Sequence, residues 1–384
     1  MIQEKVTNCP LCKSKNISLY CKINHSVASD ASIIPKNCVT YLCSNCLNLF
    51  KVRNKADFDV ISSIYETYIL HSKGQNNEQR VAYDIYPEGI TKSEHIANYI
   101  LENVNLSETG NLLDFGCHFG SFLKKLFQSK KKWNIHGFDI SYRFEEDIKN
   151  ISSKAKYICK KISNIDNKYE LITIIHVLEH LLDPINTLLY LKNHLSEGGI
   201  LFLQSNNTEE NPFLPFLFEQ HYNYSIPGII NIFNMVGLHI KNIRLNWIPK
   251  EFTIIAQKKK NDIEVVNDLT TKKTIKKINK NKTLLNDTIL SLNKIEKGSK
   301  KIGILGTAYV GKWIAHNIPD KFDFFVDENP FVQGKIISSK PVIAINDIPD
   351  NSCILVALPP EIAMNFIKRF KNKVQCNLIP PPFI

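Results

Sequence analysis

The hydrophobic and polar positions of the chain alternate regularly in its central part. Apolar runs, of which Leu112-Leu113 and Tyr169–Ile175 are examples, end in polar residues, and each precedes a stretch with helical spacing. Continuous apolar runs are typical of strands buried in a parallel sheet, and strands that alternate with helices predict a doubly wound α/β fold. The elements predicted to complete this part are a helix over 226–236 and strands over 238–245 and 251–257.

A second alternating region occupies the end of the chain. Lys301–Gly311 is typical of a strand, a glycine loop and a helix start, and Phe324–Asp327 predicts the next strand. Further strands are predicted at Pro341 and Cys353. Residues 261–299 are rich in lysine and asparagine, and their apolar positions predict a linker followed by an amphipathic helix. These apolar positions are Leu284, Leu285, Ile289, Leu292 and Ile295.

Residues 56–103, ahead of the central region, have a helical pattern. Tyr65 and Tyr68 lie one turn apart and so share a face, which suits core packing or contact with a substrate. Glu94–Leu101 predicts the helix that leads into the central sheet.

A length of 384 residues fits two or three domains. The patterns place a zinc-binding domain at 1–75, a Rossmann-like core at 76–260, and a linker helix with a second Rossmann-like domain at 261–384. No apolar run approaches the roughly 20 residues that cross a bilayer. The N-terminus lacks the basic-then-apolar order of a signal peptide, which predicts a cytoplasmic protein.

The formal net charge of +11 would suit an anionic partner, but its distribution does not favour nucleic acid. Lysines crowd between Lys258 and Lys301, arginine is scarce, and no arginine–aromatic stripe is present. This pattern indicates a solvated linker and helix face.

Four of the ten cysteines form two C-x-x-C knuckles about thirty residues apart. The knuckles are Cys9-Pro-Leu-Cys12 and Cys43-Ser-Asn-Cys46. In a reducing compartment, metal binding is favoured over disulfides. Four thiolates complete a tetrahedral shell with no open position, so the predicted metal is a structural Zn²⁺. Cys21 and Cys38 lie outside the knuckles.

A glycine loop follows the first central strand. Asp114 ends the strand, Gly116 and Gly120 frame a turn, and a helical pattern follows. In such a turn, backbone N–H groups and the positive end of the helix dipole face a ligand. An acid ahead of two glycines differs from the dinucleotide fingerprint and suits a ligand with an amino group beside a carboxylate, such as S-adenosylmethionine. A purely structural strand–turn–helix junction is the alternative.

Two later strands end in residues that can contact a cofactor. Asp139 ends the second strand, where an acid can bind both ribose hydroxyls of a nucleoside. His176 follows the strand over 169–175. Glu179 and His180 could form a carboxylate–imidazole pair, but their place at the start of a helix favours capping and packing.

Residues 211–225 are unusually rich in aromatic side chains for a connecting segment. They follow a strand that ends at Gln204, on the side where open parallel sheets bind ligands. His221 is the side chain there whose ordinary pKa suits proton transfer near neutrality. A hydrogen-bonded structural histidine is the alternative.

The last domain contains Gly306-Thr-Ala308-Tyr-Val-Gly311, with Asp327 downstream. The pattern is close to a dinucleotide fingerprint, although Ala308 stands where the pyrophosphate normally needs Gly. The loop therefore suits NAD, another nucleotide-linked ligand, or no ligand.

The ordered motifs of the central domain resemble those of class I S-adenosylmethionine-dependent methyltransferases. The motifs are Leu113-Asp114-Phe-Gly116-Cys, Gly-Phe-Asp139-Ile, His176-Val-Leu-Glu179-His180 with Asp183-Pro184, and Gly198-Gly199. The resemblance implies that Asp114, Gly116 and Gly120 hold the methionine end of the cofactor. It also implies that Asp139 takes the ribose and that His176 lies where the fourth strand opens toward the cofactor. The family usually has Gly where this chain has His118, whose side chain would narrow the approach to the methionine moiety.

The whole chain resembles the bacterial sugar C-methyltransferases that act on nucleotide-linked keto-deoxysugars. The resemblance rests on paired cysteine knuckles, a methyltransferase core and a last domain with Val-Asp327-Glu-Asn-Pro330-x-x-Gln333-Gly334, in that order. It implies that the last domain helps to hold the nucleotide-sugar. It also implies that a base removes a proton beside the keto group, so that the enolate attacks the methyl group.

The chain matches the family's Tyr-His-Glu-His motif and its following Tyr only in part. His221 occupies the base position and Tyr224 the following aromatic position, whereas Gln220 replaces Glu and Phe218 replaces Tyr. Gln cannot ionise, and Phe lacks the hydroxyl. Our hypothesis is that His221 is the general base, oriented by Gln220 or Glu219. The predicted site residues are His221, Gln220 and Tyr224 for catalysis, and Tyr68, Tyr222 and Gly306 for substrate binding.

Two other functions fit the sequence. One is O- or N-methylation of a small metabolite or glycan precursor. The other is a binding or regulatory protein with two Rossmann-like units that has lost catalysis, which His118, Gln220 and Phe218 would favour. The expected partner is a nucleotide-linked sugar or another small molecule, with no nucleic acid and no membrane, and the sequence does not indicate the oligomeric state.

Overall fold

The structure is a computed structural model that describes residues 6–67, 80–83, 86–258 and 268–383. Tyr68, a predicted substrate-binding residue, lies outside the described residues. The chain divides into two units: unit 1 contains Met1–Leu70, Asn206–Ile229 and Val266–Ile384, and unit 2 contains His71–Ser205 and Ile230–Val265. The sequence patterns do not indicate that Asn206–Ile229 joins unit 1.

The strands of the described residues run in chain order from β1 to β21. They are β1 (Ile17–Ile23), β2 (Ser26–Val27), β3 (Ile33–Ile34), β4 (Cys38–Cys43), β5 (Leu49–Lys51), β6 (Arg80–Tyr83), β7 (Tyr86–Thr91), β8 (Asn111–Phe115), β9 (Asn134–Asp139), β10 (Ala155–Cys159), β11 (Tyr169–Ile175), β12 (Leu195–Asn206), β13 (Tyr222–Asn223), β14 (Leu238–Leu245), β15 (Glu251–Lys258), β16 (Ile302–Leu305), β17 (Phe324–Val326), β18 (Ile336–Ile337), β19 (Lys340–Ile343), β20 (Cys353–Val356) and β21 (Asn377–Ile379). The α-helices are α1 (Lys55–Thr67), α2 (Lys92–Asn103), α3 (Ser121–Ser129), α4 (Glu145–Lys149), α5 (Pro184–His194), α6 (Ile226–Val236), α7 (Asp268–Lys294), α8 (Tyr309–Asn317) and α9 (Pro360–Phe370).

Unit 2 is built on a seven-stranded sheet with the strand order β10-β9-β8-β11-β12-β15-β14. Strands β8 to β12 pair in parallel, whereas β14 and β15 are antiparallel. The core includes Leu112, Leu123, Trp133, Leu171 and Phe202, all of them buried. Apolar strands of this kind need cover on both faces. The predicted doubly wound α/β fold is therefore confirmed.

The continuous helical pattern predicted over 56–103 is wrong in its middle part. Helix α1 ends at Thr67, strands β6 and β7 pair as an antiparallel hairpin, and α2 begins at Lys92. Pro87 and Gly89 lie in β7, and both residue types disfavour a helix. Their local effect outweighs the helical spacing on either side of them.

Unit 1 contains two larger sheets. One is antiparallel, with the order β1-β4-β5-β13, and its last strand comes from the 206–229 segment. The other has the order β18-β19-β17-β16-β20-β21, in which β19, β17, β16, β20 and β21 are parallel. The parallel strands confirm the predicted Rossmann-like character of the last part of the chain.

One hydrophobic core joins parts of unit 1 that are distant in sequence. It contains Tyr20 from β1, Phe213 and Phe216 from the 206–229 segment, Leu285 from α7 and Trp313 from α8. The rings of Phe216 and Trp313 stack with their centroids 4.1 Å apart. The cysteine-containing part, the inserted segment and the C-terminal sheet therefore share one interior.

Helix α7 has the predicted amphipathic stripe. Leu285 and Leu292 are buried, and Ile289 and Ile295 pack against the same core. Across the described ranges, no helix has the length and apolar character needed to cross a membrane.

Gly228 in α6 has no room for a side chain, because a Cβ there would lie 2.0 Å from Asn48 Oδ1 and 2.5 Å from the carbonyl oxygen of Cys46. Ala in a helix ordinarily stabilises a protein relative to Gly by about 0.5–1 kcal/mol. Here overpacking should dominate, and we expect Gly228→Ala to lower the free energy of unfolding by about 1–3 kcal/mol. Denaturant unfolding would measure the change, with Gly298→Ala as the control because its Cβ would meet nothing within 4 Å. A Gly228→Ala variant as stable as the parent would contradict this packing.

Candidate cofactor and metal sites

The loop after β8 has the backbone geometry of a ligand-binding turn. Gly116 has a φ of +86°, and a Cβ there would lie 2.2 Å from Val177 Cγ2, so the position requires glycine. Its N–H donates to the Phe138 carbonyl at 2.7 Å. Gly120 directly precedes α3, whose first N–H groups have no partner within the helix. The loop can therefore offer backbone donors to a bound group.

Asp114 is buried at the end of β8. Its Oδ1 accepts a hydrogen bond from Thr173 Oγ1 at 2.7 Å. Burial raises the pKa of Asp114 to about 7, and the nearby Asp139 also raises it, whereas the bond from Thr173 opposes the shift. A ligand's positive amino group beside this buried carboxyl group would favour the ionised form of Asp114 and would be bound by that negative charge.

Asp139 ends β9 on the same edge of the sheet. Its two oxygens accept from the backbone N–H groups of His118 and Ser141, each at 3.1 Å. Burial raises its pKa, and the two backbone bonds counteract that shift. The structure thus brings Asp139 to the turn that carries Gly116 and Gly120.

Two side chains at this edge were missed by the sequence analysis. Ile140 and Tyr142, which follow Asp139 by one and three residues, are 52% and 60% exposed. Exposed apolar surface beside Asp139, the predicted ribose ligand, would suit the flat face of a nucleoside base. The sequence did contain an indication of this surface, because an apolar residue immediately follows the acid that ends the strand.

His118 adopts the left-handed conformation, with a φ of +47°. Its ring packs against Phe119 and Phe144, with centroid distances of 4.2 and 4.4 Å. The positive φ explains how a position where the family has Gly tolerates His. Whether the imidazole limits the methionine site stays a prediction.

His176 belongs to a network of charged side chains at the carboxyl edge of the sheet. Its Nε2 lies 2.6 Å from Lys92 Nζ and 3.0 Å from Glu251 Oε2, and its Nδ1 lies 3.3 Å from Glu179 Oε1. Lys92 Nζ also donates to Glu251 Oε1 at 2.5 Å. Gln204 Nε2 donates to Glu251 Oε2 at 2.7 Å.

The groups of this network shift one another's pKa. Burial disfavours protonation of His176, but the carboxylates of Glu251 and Glu179 outweigh it and raise the pKa of His176. Burial also disfavours ionisation of Glu251, yet His176 and Lys92 bring the pKa of that carboxyl well below its usual range. The carboxylates of Glu179 and Glu251 therefore flank His176, and Lys92 contacts both Glu251 and His176.

The capping role predicted for Glu179 and His180 is wrong for Glu179. Its carboxylate contacts His176 and accepts a hydrogen bond from Ser205 Oγ at 3.0 Å. The N-cap of α5 is Asp183, whose Oδ1 accepts from the N–H of Asn186 at 3.1 Å. A short 3₁₀ turn over Leu178–His180 separates Glu179 from the helix start, so its side chain points to other partners.

The two knuckles meet as predicted. The sulfur atoms of Cys9, Cys12, Cys43 and Cys46 all lie within 4.8 Å of one another, and no other group of potential ligands that could hold a metal occurs in the described part of the chain. The Cys9–Cys46 and Cys12–Cys43 sulfur distances are 3.8 and 3.5 Å. A tetrahedral zinc with Zn–S bonds of about 2.3 Å needs sulfur atoms about 3.8 Å apart. The donor set therefore fits a four-coordinate metal and leaves no open position.

The predicted catalytic residues lie in unit 1, where the inserted segment is buried. Gln220, His221 and Tyr224 are at most 5% exposed, and the ring of Tyr222 stacks on that of Tyr224 at 6.1 Å. Gln220 Oε1 accepts from Asn223 Nδ2 at 2.8 Å. Their catalytic roles, and the substrate role of Tyr222, stay predictions.

The loop that contains Gly306 is hydrogen-bonded to Asp327. Asp327 Oδ2 accepts from Thr307 N and Oγ1 at 2.9 and 2.7 Å, and Oδ1 accepts from Asn329 N at 2.9 Å. Both oxygens of Asp327 are thus engaged within the protein. Asp139 has the same arrangement, and a carboxylate oxygen that accepts one bond can accept a second. The role of Gly306 in substrate binding stays a prediction.

Comparison with known proteins supports the identity of the central part. Residues 91–238 match a family model described as a methyltransferase domain. A tRNA U34 carboxymethyltransferase of Nautilia profundicola is 30% identical over 177 residues, which are 43% of this chain and 58% of that protein. A mitochondrial ubiquinone biosynthesis O-methyltransferase of Saccharomyces cerevisiae is 26% identical over 146 residues, or 33% of this chain and 47% of that protein. The chain thus spans about half the length of these curated relatives.

Among solved structures, an S-adenosylmethionine-dependent methyltransferase from Clostridium acetobutylicum has 17% identity and a TM-score of 0.38, over 53% of this chain and 99% of that one. Across the large sheet of unit 2, the five parallel strands lie in the order β10-β9-β8-β11-β12. Numbered by their order in the chain, this is 3-2-1-4-5, which is the doubly wound arrangement. With the family match, this order shows that the chain carries a class I S-adenosylmethionine-dependent methyltransferase domain. The class I resemblance is therefore confirmed.

The raised pKa of Asp114 predicts that cofactor binding depends on pH. The ordinary value is 3.8 and the folded value is about 7, so Asp114 ionises between pH 6 and 8 in the folded protein. We expect S-adenosylmethionine to bind more tightly as the pH rises through about 7, and Asp114→Asn to remove that dependence and weaken binding at pH 8. In the protein without ligand, the raised pKa lowers the free energy of unfolding as the pH rises from 3.8 toward 7, because in that range the unfolded state loses the proton more readily than the folded state. Asp114→Asn should therefore melt at a higher temperature than the parent at pH 8.

Calorimetry at pH 6 and pH 8 would measure the change in affinity, and thermal melts at pH 8 would measure the change in stability. Asp166→Asn is the control, because Asp166 is exposed. An affinity that is the same at both pH values in the parent protein and in Asp114→Asn would contradict this role of the carboxyl group.

The positive φ of His118 predicts how the loop responds to substitution. His118→Gly should retain or tighten S-adenosylmethionine binding, because Gly adopts this conformation without strain and removes the ring. His118→Ala also removes the ring but leaves about 1 kcal/mol of backbone strain, so it should be less stable than His118→Gly. Calorimetry and melting curves separate the two effects. Loss of binding in a folded His118→Gly variant would show that the imidazole contacts the ligand.

Proposed function

We propose that this protein transfers a methyl group from S-adenosylmethionine to a carbon atom of a nucleotide-linked keto-deoxysugar. The methyltransferase domain supports methyl transfer. The choice of substrate is supported by one observation: unit 1 combines the four-cysteine cluster, the buried segment with His221 and a second Rossmann-like sheet. The sugar C-methyltransferases that the sequence resembles combine these same parts with a methyltransferase domain in one enzyme.

The chain's own residues would have separate tasks in this reaction. Asp114 and the backbone of the Gly116 loop would hold the methionine end of the cofactor, and Asp139 would hold its ribose. S-adenosylmethionine, when bound, supplies the methyl group. The four cysteines would hold Zn²⁺ in a closed shell that supports the fold and takes no part in the chemistry.

His221 would act as the general base of the reaction. Its neutral imidazole would remove the proton from the carbon beside the keto group, and the electron pair of the broken C–H bond would form the enolate. The enolate carbon would then form a bond to the methyl carbon as the methyl–sulfur bond breaks, the electron pair of that bond would stay on sulfur, and the proton would stay on the imidazole. Gln220 and Tyr224 would stabilise the negative enolate oxygen or orient the base.

Replacing His221 tests this assignment. We expect His221→Ala to lower kcat by about 10²–10⁴-fold, because proton abstraction contributes about that much in general base catalysis. S-adenosylmethionine affinity should not change. A panel of nucleotide-linked keto-deoxysugars with methyl-labelled cofactor would measure transfer, with His239→Gln on β14 as the control. Near-normal turnover by folded His221→Ala would remove His221 from the mechanism.

A second candidate function follows from the curated relatives, which are named as a tRNA carboxymethyltransferase and an O-methyltransferase. On that basis the acceptor would be U34 of a tRNA or an oxygen atom of a small metabolite. The absence of a nucleic-acid partner therefore stays a prediction. The carbon-13 shift of the transferred methyl group separates C- from O-methylation, and a mass increase for carboxymethylated tRNA would identify the other activity.

A further inference from the structure

The backbone of the segment that carries His221 is held by the strand that follows the second knuckle. The N–H of Lys51 donates to the carbonyl of His221 at 2.9 Å. In the same antiparallel ladder, β13 pairs with β5 so that Tyr222 lies opposite Phe50. The carbonyl of His221 is therefore fixed by main-chain bonding to β5.

Lys51, the last residue of β5, and Arg53, two residues later, donate side-chain hydrogen bonds to carbonyls that precede His221 in the chain. Lys51 Nζ donates to the carbonyl of Leu217. Arg53 Nη2 donates to the carbonyls of Phe218 and Gln220, the latter at 3.3 Å. The Arg53 guanidinium carbon also lies 4.3 Å from the centroid of the Phe218 ring. Three carbonyls before His221 thus accept bonds from Lys51 and Arg53.

Lys51 is an unusual residue for this role, because it is only 6% exposed. Burial lowers its pKa to about 8, so the ammonium form still predominates at neutral pH. Removing an ammonium group from water is costly, and a buried charge is weak evidence for stability as such. The lysine is better explained by its bond to the carbonyl of Leu217, which fixes the backbone at that residue, than by a gain in stability.

The same segment is also held on its C-terminal side. Asn48, two residues after Cys46, accepts a hydrogen bond from the N–H of Ser225 through Oδ1 at 3.1 Å. The close approach of Gly228 to Asn48 and to the carbonyl of Cys46 adds a packing contact. Anchors from the cysteine-containing sheet therefore lie on both sides of His221.

We infer that Lys51 and Arg53 are positioning residues, which set the backbone that presents His221 and thereby the direction and surroundings of its imidazole. The inference rests on the proposed role of His221 as general base. It gives the N-terminal sheet a task in the reaction in addition to its task in folding. Neither residue is required to touch the substrate.

The test uses the full-length protein and needs no turnover. Arg53→Ala removes two bonds to carbonyls, Arg53→Lys keeps the charge but cannot bond as a planar fork, and Lys51→Met keeps the chain length without the donor. The control is Arg369→Ala, because Arg369 is exposed and pairs with Glu328 in the same unit. Cooperative melting and S-adenosylmethionine binding, measured by calorimetry, identify folded variants.

Two signals report on the segment itself. The first is the ¹³Cε1 resonance of His221 and its titration with pH, assigned with His221→Gln among the 11 histidines. The second is hydrogen exchange in the peptide that covers residues 217–224. We expect Arg53→Ala and Lys51→Met to shift the His221 resonance and to speed exchange by about 10-fold or more, and Arg53→Lys to have a smaller effect.

The outcomes separate positioning from simple stabilisation. A residue that only stabilises unit 1 would lower the melting temperature and leave the His221 resonance of the native state unchanged. That result in folded Arg53→Ala and Lys51→Met would overturn the inference. Since both signals are measured without substrate, a failure to detect sugar methylation would count against the proposed function and leave this test intact.

Discussion

The carboxyl edge of the methyltransferase sheet depends on one buried carboxylate, that of Glu251. It bonds to Lys92 at the start of α2, to His176 after β11 and to Gln204 at the end of β12. Three elements that are far apart in sequence therefore converge on the first residue of β15. Removing one partner from such a buried ionic network ordinarily costs about 3–5 kcal/mol, because the remaining charges lose their compensation.

This network also limits the chemistry that His176 can perform. Both ring nitrogens of His176 contact carboxylates, and Nε2 also lies 2.6 Å from Lys92 Nζ, so both nitrogens already have partners within the protein. His176 is therefore better suited to holding the loop after β11 beside the cofactor turn than to acting as a base.

Much of the fold follows from local patterns, because parallel strands leave long apolar runs and cofactor turns leave glycines at fixed spacing. Asp114, Gly116 and Asp139 could be placed on one edge because the carboxyl ends of neighbouring parallel strands meet there. The four cysteines could be grouped because their ligand spacing is specific. The hairpin of β6 and β7 was missed because its strands are short and lie between two helical patterns.

Long-range contacts could not be derived from the sequence. Lys92 and Glu251 are separated by 159 residues, and Lys51 and Leu217 by 166, so no local periodicity connects them. The pairing of β13 with β5 involves two residues per strand, too few for an alternating pattern. The positions of Gln220 and Tyr224 could be named from a motif, but their burial and their partners depend on these distant contacts.

The interleaved order of the two units has a consequence for how the protein folds during synthesis. Unit 2 is complete once residue 265 has been made, whereas unit 1 needs all three of its segments. Tyr20 bonds to the carbonyl of Ile278, and Trp313 bonds to the carbonyl of His25, so the interior of unit 1 cannot close until the last third of the chain leaves the ribosome. The cysteine knuckles are made before the other two segments of unit 1, and a metal bound there would hold the neighbouring strands in place until the rest of their core has been made.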